Sequence, residues 1–145
     1  NNALGKPLLM PGRIIAVSPG GLPNKNRAES KELWEKLEAL SHKDIMIDPA
    51  YFSTAREIMK GKEDVPEYML DGTDGDFSDF PKTYFYYGEN ECLYAFAEYF
   101  ENAMGKYDVP HEIIVGEGMC HCYPLLRFFR EGREAQDEII ELLKF

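Results

Sequence analysis

The chain lacks a long uncharged apolar run, so no transmembrane helix is expected. Basic character is also short: 16 lysines and arginines stand against 26 aspartates and glutamates, a formal net charge of -10. That balance argues against a nucleic-acid partner, which needs a basic face to neutralise phosphates, and no basic run is present to coat an anionic bilayer. Cysteine is scarce and odd in number, at three. Three cysteines in a mid-sized chain do not make a disulfide framework, and reduced thiols in a cytoplasmic protein are expected instead. Nothing at the N-terminus resembles a signal peptide. The first residue is Asn1 rather than methionine, which agrees with reading the chain as a fragment. There is no internal repeat and no low-complexity tract.

What is present suits a folded domain. A chain of 145 residues with 44% hydrophobic side chains can bury one moderate core, so one domain over 1–145 is expected. Residues 13–17 (Arg-Ile-Ile-Ala-Val) form a continuous apolar run stopped by Ser18-Pro19-Gly20-Gly21, which reads as a strand buried on both faces. The aromatic run 83–87, after Pro81, and the run 111–115, between Pro110 and Gly116, read as two more. Apolar residues at spacings of three and four predict helices over 30–40 and 92–104, an apolar face predicts one over about 133–143, and Asp48 as an N-cap ahead of Pro49 predicts one over 49–60. Residues 71–79 are rich in glycine and aspartate and read as loop. This alternation predicts a three-layer α/β fold with about three parallel strands joined by crossover helices. The connection between the first two strands is longer than a crossover needs. Its helical patterns predict an inserted cap or lid over residues 20–68.

In such sheets the chemistry gathers beyond the carboxyl ends of the strands. Two residues stand out there. Glu91 follows the second strand in Gly88-Glu89-Asn90-Glu91, and His121 follows the third in Glu117-Gly118-Met119-Cys120-His121. Neighbouring strands lie about 5 Å apart, so the carboxylate and the imidazole are expected on one rim. An imidazole takes a hydroxyl proton near neutral pH, and an anion fixes its tautomer and stabilises the imidazolium. Glu89, Asp76 and Asp79 compete for the acid position, with Glu89 read as a solvated charge. No Gly-x-Ser-x-Gly turn is present to supply a nucleophile. Cys92 as nucleophile ranks below a serine outside the chain. Zinc is disfavoured for Cys120-His121-Cys122, because alternate ligands on one short segment seldom converge on a tetrahedral ion. Asp71, Asp74, Asp76 and Asp79 lack the spacing of a calcium hand and read as a solvated acidic loop, and no metal or organic cofactor is implied. Tyr84-Phe85-Tyr86-Tyr87 reads as sheet core. His42 reads as a solvated loop residue and His111 as the start of a strand.

These segments resemble, in order, the hormone-sensitive-lipase-like carboxylesterases, the α/β-hydrolase fold-3 family. Ile14-Ile15-Ala16-Val17-Ser18-Pro19 resembles the strand and turn after the nucleophile half. Residues 42–48 resemble a cap segment, and 75–81 the approach to the next strand. Gly88-x-x-Glu91-x-Leu93 resembles the turn bearing the acid, and Glu117-Gly118-Met119-x-His121 the turn bearing the histidine. The sequence departs from the family at Cys122, usually glycine or a small residue, at Tyr123, usually phenylalanine, and at Glu91, often aspartate. The resemblance implies the C-terminal half of an α/β-hydrolase, an incomplete domain supplying His121 and Glu91 to a Ser-His-acid triad that cleaves short-acyl esters. The serine and the oxyanion hole would belong to an N-terminal half, the expected partner. Without that half the first strand becomes an open sheet edge, available to the missing half or to a second copy. The alternative is a non-catalytic binding or regulatory module that reuses half a hydrolase scaffold.

Overall fold

The computed structural model of the chain describes residues 9–61 and 65–144; residues 62–64 of the expected cap lie outside it. The organising element is β2 (Thr83–Gly88), every residue of which is buried. Its aromatic side chains alternate between two layers. Phe85 and Tyr87 pack on one face with Phe96, Phe100 and Met104; Tyr84 and Tyr86 pack on the other with Tyr123 and Ala135. Burying a large apolar side chain contributes about 1.5–3 kcal/mol, so this run holds both layers to the sheet. β1 (Ile14–Val17) and β3 (His111–Gly116) flank it in the order β1-β2-β3, and both pairings are parallel. The three expected strands and the three-layer arrangement are therefore present.

One face is covered by α1 (Lys31–Ser41) and α3 (Ala97–Gly105), the other by α4 (Arg130–Leu143). The first half of the expected helix over 92–104 is a tighter turn, Cys92–Phe96, before the α-helix begins. Such tight turns are common at helix N-termini. α4 begins earlier than its apolar spacing suggests, at Arg130 rather than about 133. Its first turn presses on the chain before it: a Cβ on Gly132 would stand 2.3 Å from the Leu126 carbonyl oxygen. Close backbone packing, which leaves no apolar signature, sets that boundary.

The long connection carries α1, a short turn at Pro49–Tyr51 and α2 (Phe52–Lys60). The Asp48 carboxylate accepts from the Ala50 N–H, as its N-cap pattern predicts. The two ends of the insertion meet. Gly21 bridges Asp71, and the buried Arg56 guanidinium donates to the Leu22 carbonyl and pairs with Glu67. Leu33, Trp34, Leu37 and Phe52 of this segment share one core with Phe85 and Tyr87. Among the described residues, no helix is long and apolar enough to cross a membrane.

Candidate functional site

All three strands end on one rim, and a side chain from each end meets there. Two tight turns bring Glu91 and His121 together. The turn after β2 is closed by the Glu91 N–H donating to the Gly88 carbonyl, and the turn after β3 by the Met119 N–H donating to the Gly116 carbonyl. The turns are joined to each other. The Glu89 N–H donates to the Gly116 carbonyl at 3.0 Å and the Asn90 N–H to the Met119 carbonyl at 2.9 Å. Glu89 in turn accepts from the Gly118 N–H at 2.8 Å, so this carboxylate fastens the histidine turn rather than simply facing water. Tyr123, buried against α4, anchors the far side of the turn.

The result is a contact of 2.6 Å between Glu91 Oε2 and His121 Nδ1. The Glu91 side chain is fully buried, whereas that of His121 is 16% exposed. The other carboxylate oxygen, Oε1, accepts from the Gly88 N–H at 2.8 Å and from the Ser18 hydroxyl at 2.9 Å. Burial raises the affinity of Glu91 for a proton, against the opposing hydrogen bonds from Gly88, Ser18 and His121. A carboxyl raised on folding contributes stability below its ordinary range, near pH 4, and that contribution is lost as pH rises. The urea midpoints of wild type and Glu91→Gln should accordingly shift relative to each other in favour of the glutamine variant between about pH 4 and pH 7. A gap independent of pH would contradict this account of the buried charge.

Ser18 is the residue that sequence reasoning missed, having been read only as part of a strand stop. Its N–H extends the β1–β2 ladder to the Tyr86 carbonyl. Its hydroxyl, almost fully buried, donates to Glu91 and accepts from the Cys122 N–H at 2.9 Å. The signal was available: the rule that singled out Glu91 and His121 at the ends of β2 and β3 applies equally to the end of β1. Ser18→Ala removes one donor to a buried carboxylate and leaves the Cys122 N–H without its partner. The expected cost is about 1–3 kcal/mol in chemical denaturation; a loss below about 0.5 kcal/mol, the range of ordinary surface substitutions, would show that the bridge contributes nothing.

Asp44, in the loop after α1, touches the same rim from the insertion. Its carboxylate accepts from the N–H groups of Cys92, Met46 and Ile47. Burial alone would raise its pKa, but these three donors outweigh burial and hold it below the usual carboxylate range. Cys92, next to Glu91, is fully buried, and desolvation pushes its thiol far up, which disfavours it as a nucleophile. Cys120 and Cys122 are half-buried. Cys122 adopts the left-handed conformation at φ 55°, which costs a residue other than glycine about 1–2 kcal/mol.

The remaining candidates lie elsewhere. Asp71 accepts from Thr73, Asp74 pairs with Arg27, and Asp76 accepts from Ser78. Among the described residues, no group of three histidine, cysteine, aspartate or glutamate side chains is placed to hold a metal ion. His111 contacts the Val109 carbonyl at the start of β3.

Neither a protein-family model nor a curated protein matches the chain. Solved structures do. An esterase from the bacterial hormone-sensitive lipase family superposes with a TM-score of 0.78 at 16% identity, over 98% of this chain and 45% of its own. A putative esterase from Staphylococcus aureus gives 0.73 at 21% identity, over 99% and 46%. A hormone-sensitive lipase from a metagenome library gives 0.74 at 20%, over 96% and 44%. The chain thus spans less than half the length of these structures, and its fold is the corresponding part of the α/β-hydrolase fold.

Proposed function

We propose that this chain supplies the base and the acid of a serine esterase whose nucleophile and oxyanion hole lie in an N-terminal half. The observation that carries the reading is the 2.6 Å contact between Glu91 Oε2 and His121 Nδ1 at the rim of a hydrolase fold. With Glu91 accepting, Nδ1 carries the hydrogen and Nε2 keeps its lone pair. A serine hydroxyl placed at Nε2 passes its proton there while its oxygen attacks the ester carbonyl, and Glu91 stabilises the imidazolium. The same proton then goes to the departing alkoxide, leaving an acyl-enzyme that water cleaves by the reverse sequence.

In this reading the open edge of β1 receives the N-terminal half, since among the described residues Ile14 to Val17 pair with β2 on one side only. Within residues 20–68, α1 packs on the sheet, and the part beyond it acts as a cap. What supports that role is the loop after Asp44, tied to the Cys92 N–H beside Glu91 with Ile45 and Met46 left largely exposed. Those two side chains suit the wall of an acyl pocket for short-chain carboxylic esters.

The test is reconstitution. The chain joined to its upstream half should turn over p-nitrophenyl acetate catalytically, and a fluorophosphonate, which phosphorylates activated serines, should abolish the activity. Turnover that survives complete fluorophosphonate labelling would sink the serine mechanism.

A further inference from the structure

The working nitrogen of His121 is not vacant. Cys122 Sγ stands 3.2 Å from Nε2, while Nδ1 is held by Glu91 on the opposite side of the ring. The thiol is fixed there by its backbone. The Cys122 N–H donates to the Ser18 hydroxyl, and the residue keeps a left-handed conformation that glycine would adopt more readily. Sulfur, imidazole and carboxylate therefore stand in a row, a nucleophile, a base and an orienting acid drawn from this one chain.

We infer that Cys122 is a nucleophile in its own right, activated by His121, which accepts acyl groups from activated carboxylic esters to form a thioester. Burial pushes the thiol up, against the lowering effect of Ser18, so the resting group is S–H, donating its hydrogen to Nε2. Reaction requires no preformed thiolate. As sulfur attacks the acyl carbon, the thiol proton passes to Nε2; the C–S bond forms, the ester C–O bond breaks, and the alcohol or phenol portion departs with the bonding pair. The other two cysteines lack this arrangement. Cys92 is fully buried with its sulfur directed to the Ile47 carbonyl, and Cys120 has no contact with the imidazole among the described hydrogen bonds. The inference rests on the His121–Glu91 pair read above but not on a serine, so it applies to the chain without any upstream half.

The experiment uses the 145-residue chain and p-nitrophenyl acetate. One equivalent of p-nitrophenolate should be released in a single phase, and peptide mapping should place one acetyl group on Cys122, removable by neutral hydroxylamine as a thioester requires. His121→Gln should slow this acetylation by roughly 100-fold, the low end of what a positioned general base contributes. Cys92 reports on folding in the same sample: it stays unmodified while the core is intact and reacts in urea. Cys122→Gly, which suits the backbone, should keep Cys92 protected and lose the phase. Acetylation of Cys120 at an equal rate, or a Cys122 rate unchanged by His121→Gln with Cys92 still protected, would overturn the proposal. Either failure would leave the serine reading standing, since that is decided by fluorophosphonate in the reconstituted hydrolase.

Discussion

Under the proposed esterase function, His121→Ala in the chain joined to its upstream half is expected to lower kcat by roughly 10³-fold or more, with KM for p-nitrophenyl acetate little changed. The imidazole is asked to act on a proton that moves only as the acyl carbon is attacked, so its loss falls on the transition state rather than on binding. A rate within a few-fold of wild type would remove His121 from the chemistry. Glu91→Gln makes a sharper companion. A glutamine amide can donate to Nδ1, which moves the ring hydrogen to Nε2 and takes away the lone pair that accepts the hydroxyl proton. The fold of the rim can survive this change while activity does not. Parallel circular dichroism on both variants separates a chemical loss from unfolding.

The second large effect is one of packing. A Cβ built on Gly88 would stand 2.4 Å from the Cys120 carbonyl oxygen and 2.5 Å from that of Met119. Both obstacles are backbone, so no rotamer change relieves them, and the histidine turn must move away from β2. Gly88→Ala should therefore cost about 3 kcal/mol, the upper end of ordinary overpacking, and lower the urea midpoint accordingly. Gly118 is the internal control. It lies in the same pair of turns with nothing within 4 Å of a built Cβ, so Gly118→Ala costs only the left-handed backbone at φ 68°, about 1–2 kcal/mol. Equal destabilisation by the two substitutions would show that the close approach at Gly88 is not what positions the turn.

These effects mark where the sequence was readable. The strands were visible because their apolar runs are bounded by proline and glycine, and the aromatic run of β2 could be satisfied only by burial on both faces. Helix α1 was visible through apolar spacing, and α2 through the Asp48 cap and Pro49. Glu91 and His121 were found because strand ends in a parallel sheet share a rim. The structure brings the two side chains into contact. Less was visible where backbone meets backbone. The start of α4 at Arg130 and the need for glycine at Gly88 depend on carbonyls contributed by other turns, and no residue pattern records a neighbouring carbonyl.

The sequence by itself determined the order of the elements, the parallel sheet and the two turns that carry an acid and a histidine, because each follows from periodicity and turn chemistry within a dozen or so residues. Only the tertiary structure decided how the acid is held. The Ser18 hydroxyl reaches Glu91 across 73 positions, and the Cys122 N–H reaches Ser18 across 104. A buried carboxylate must find donors wherever the fold brings them, and those donors come from the ends of three strands that adjoin in the sheet and lie far apart in the chain.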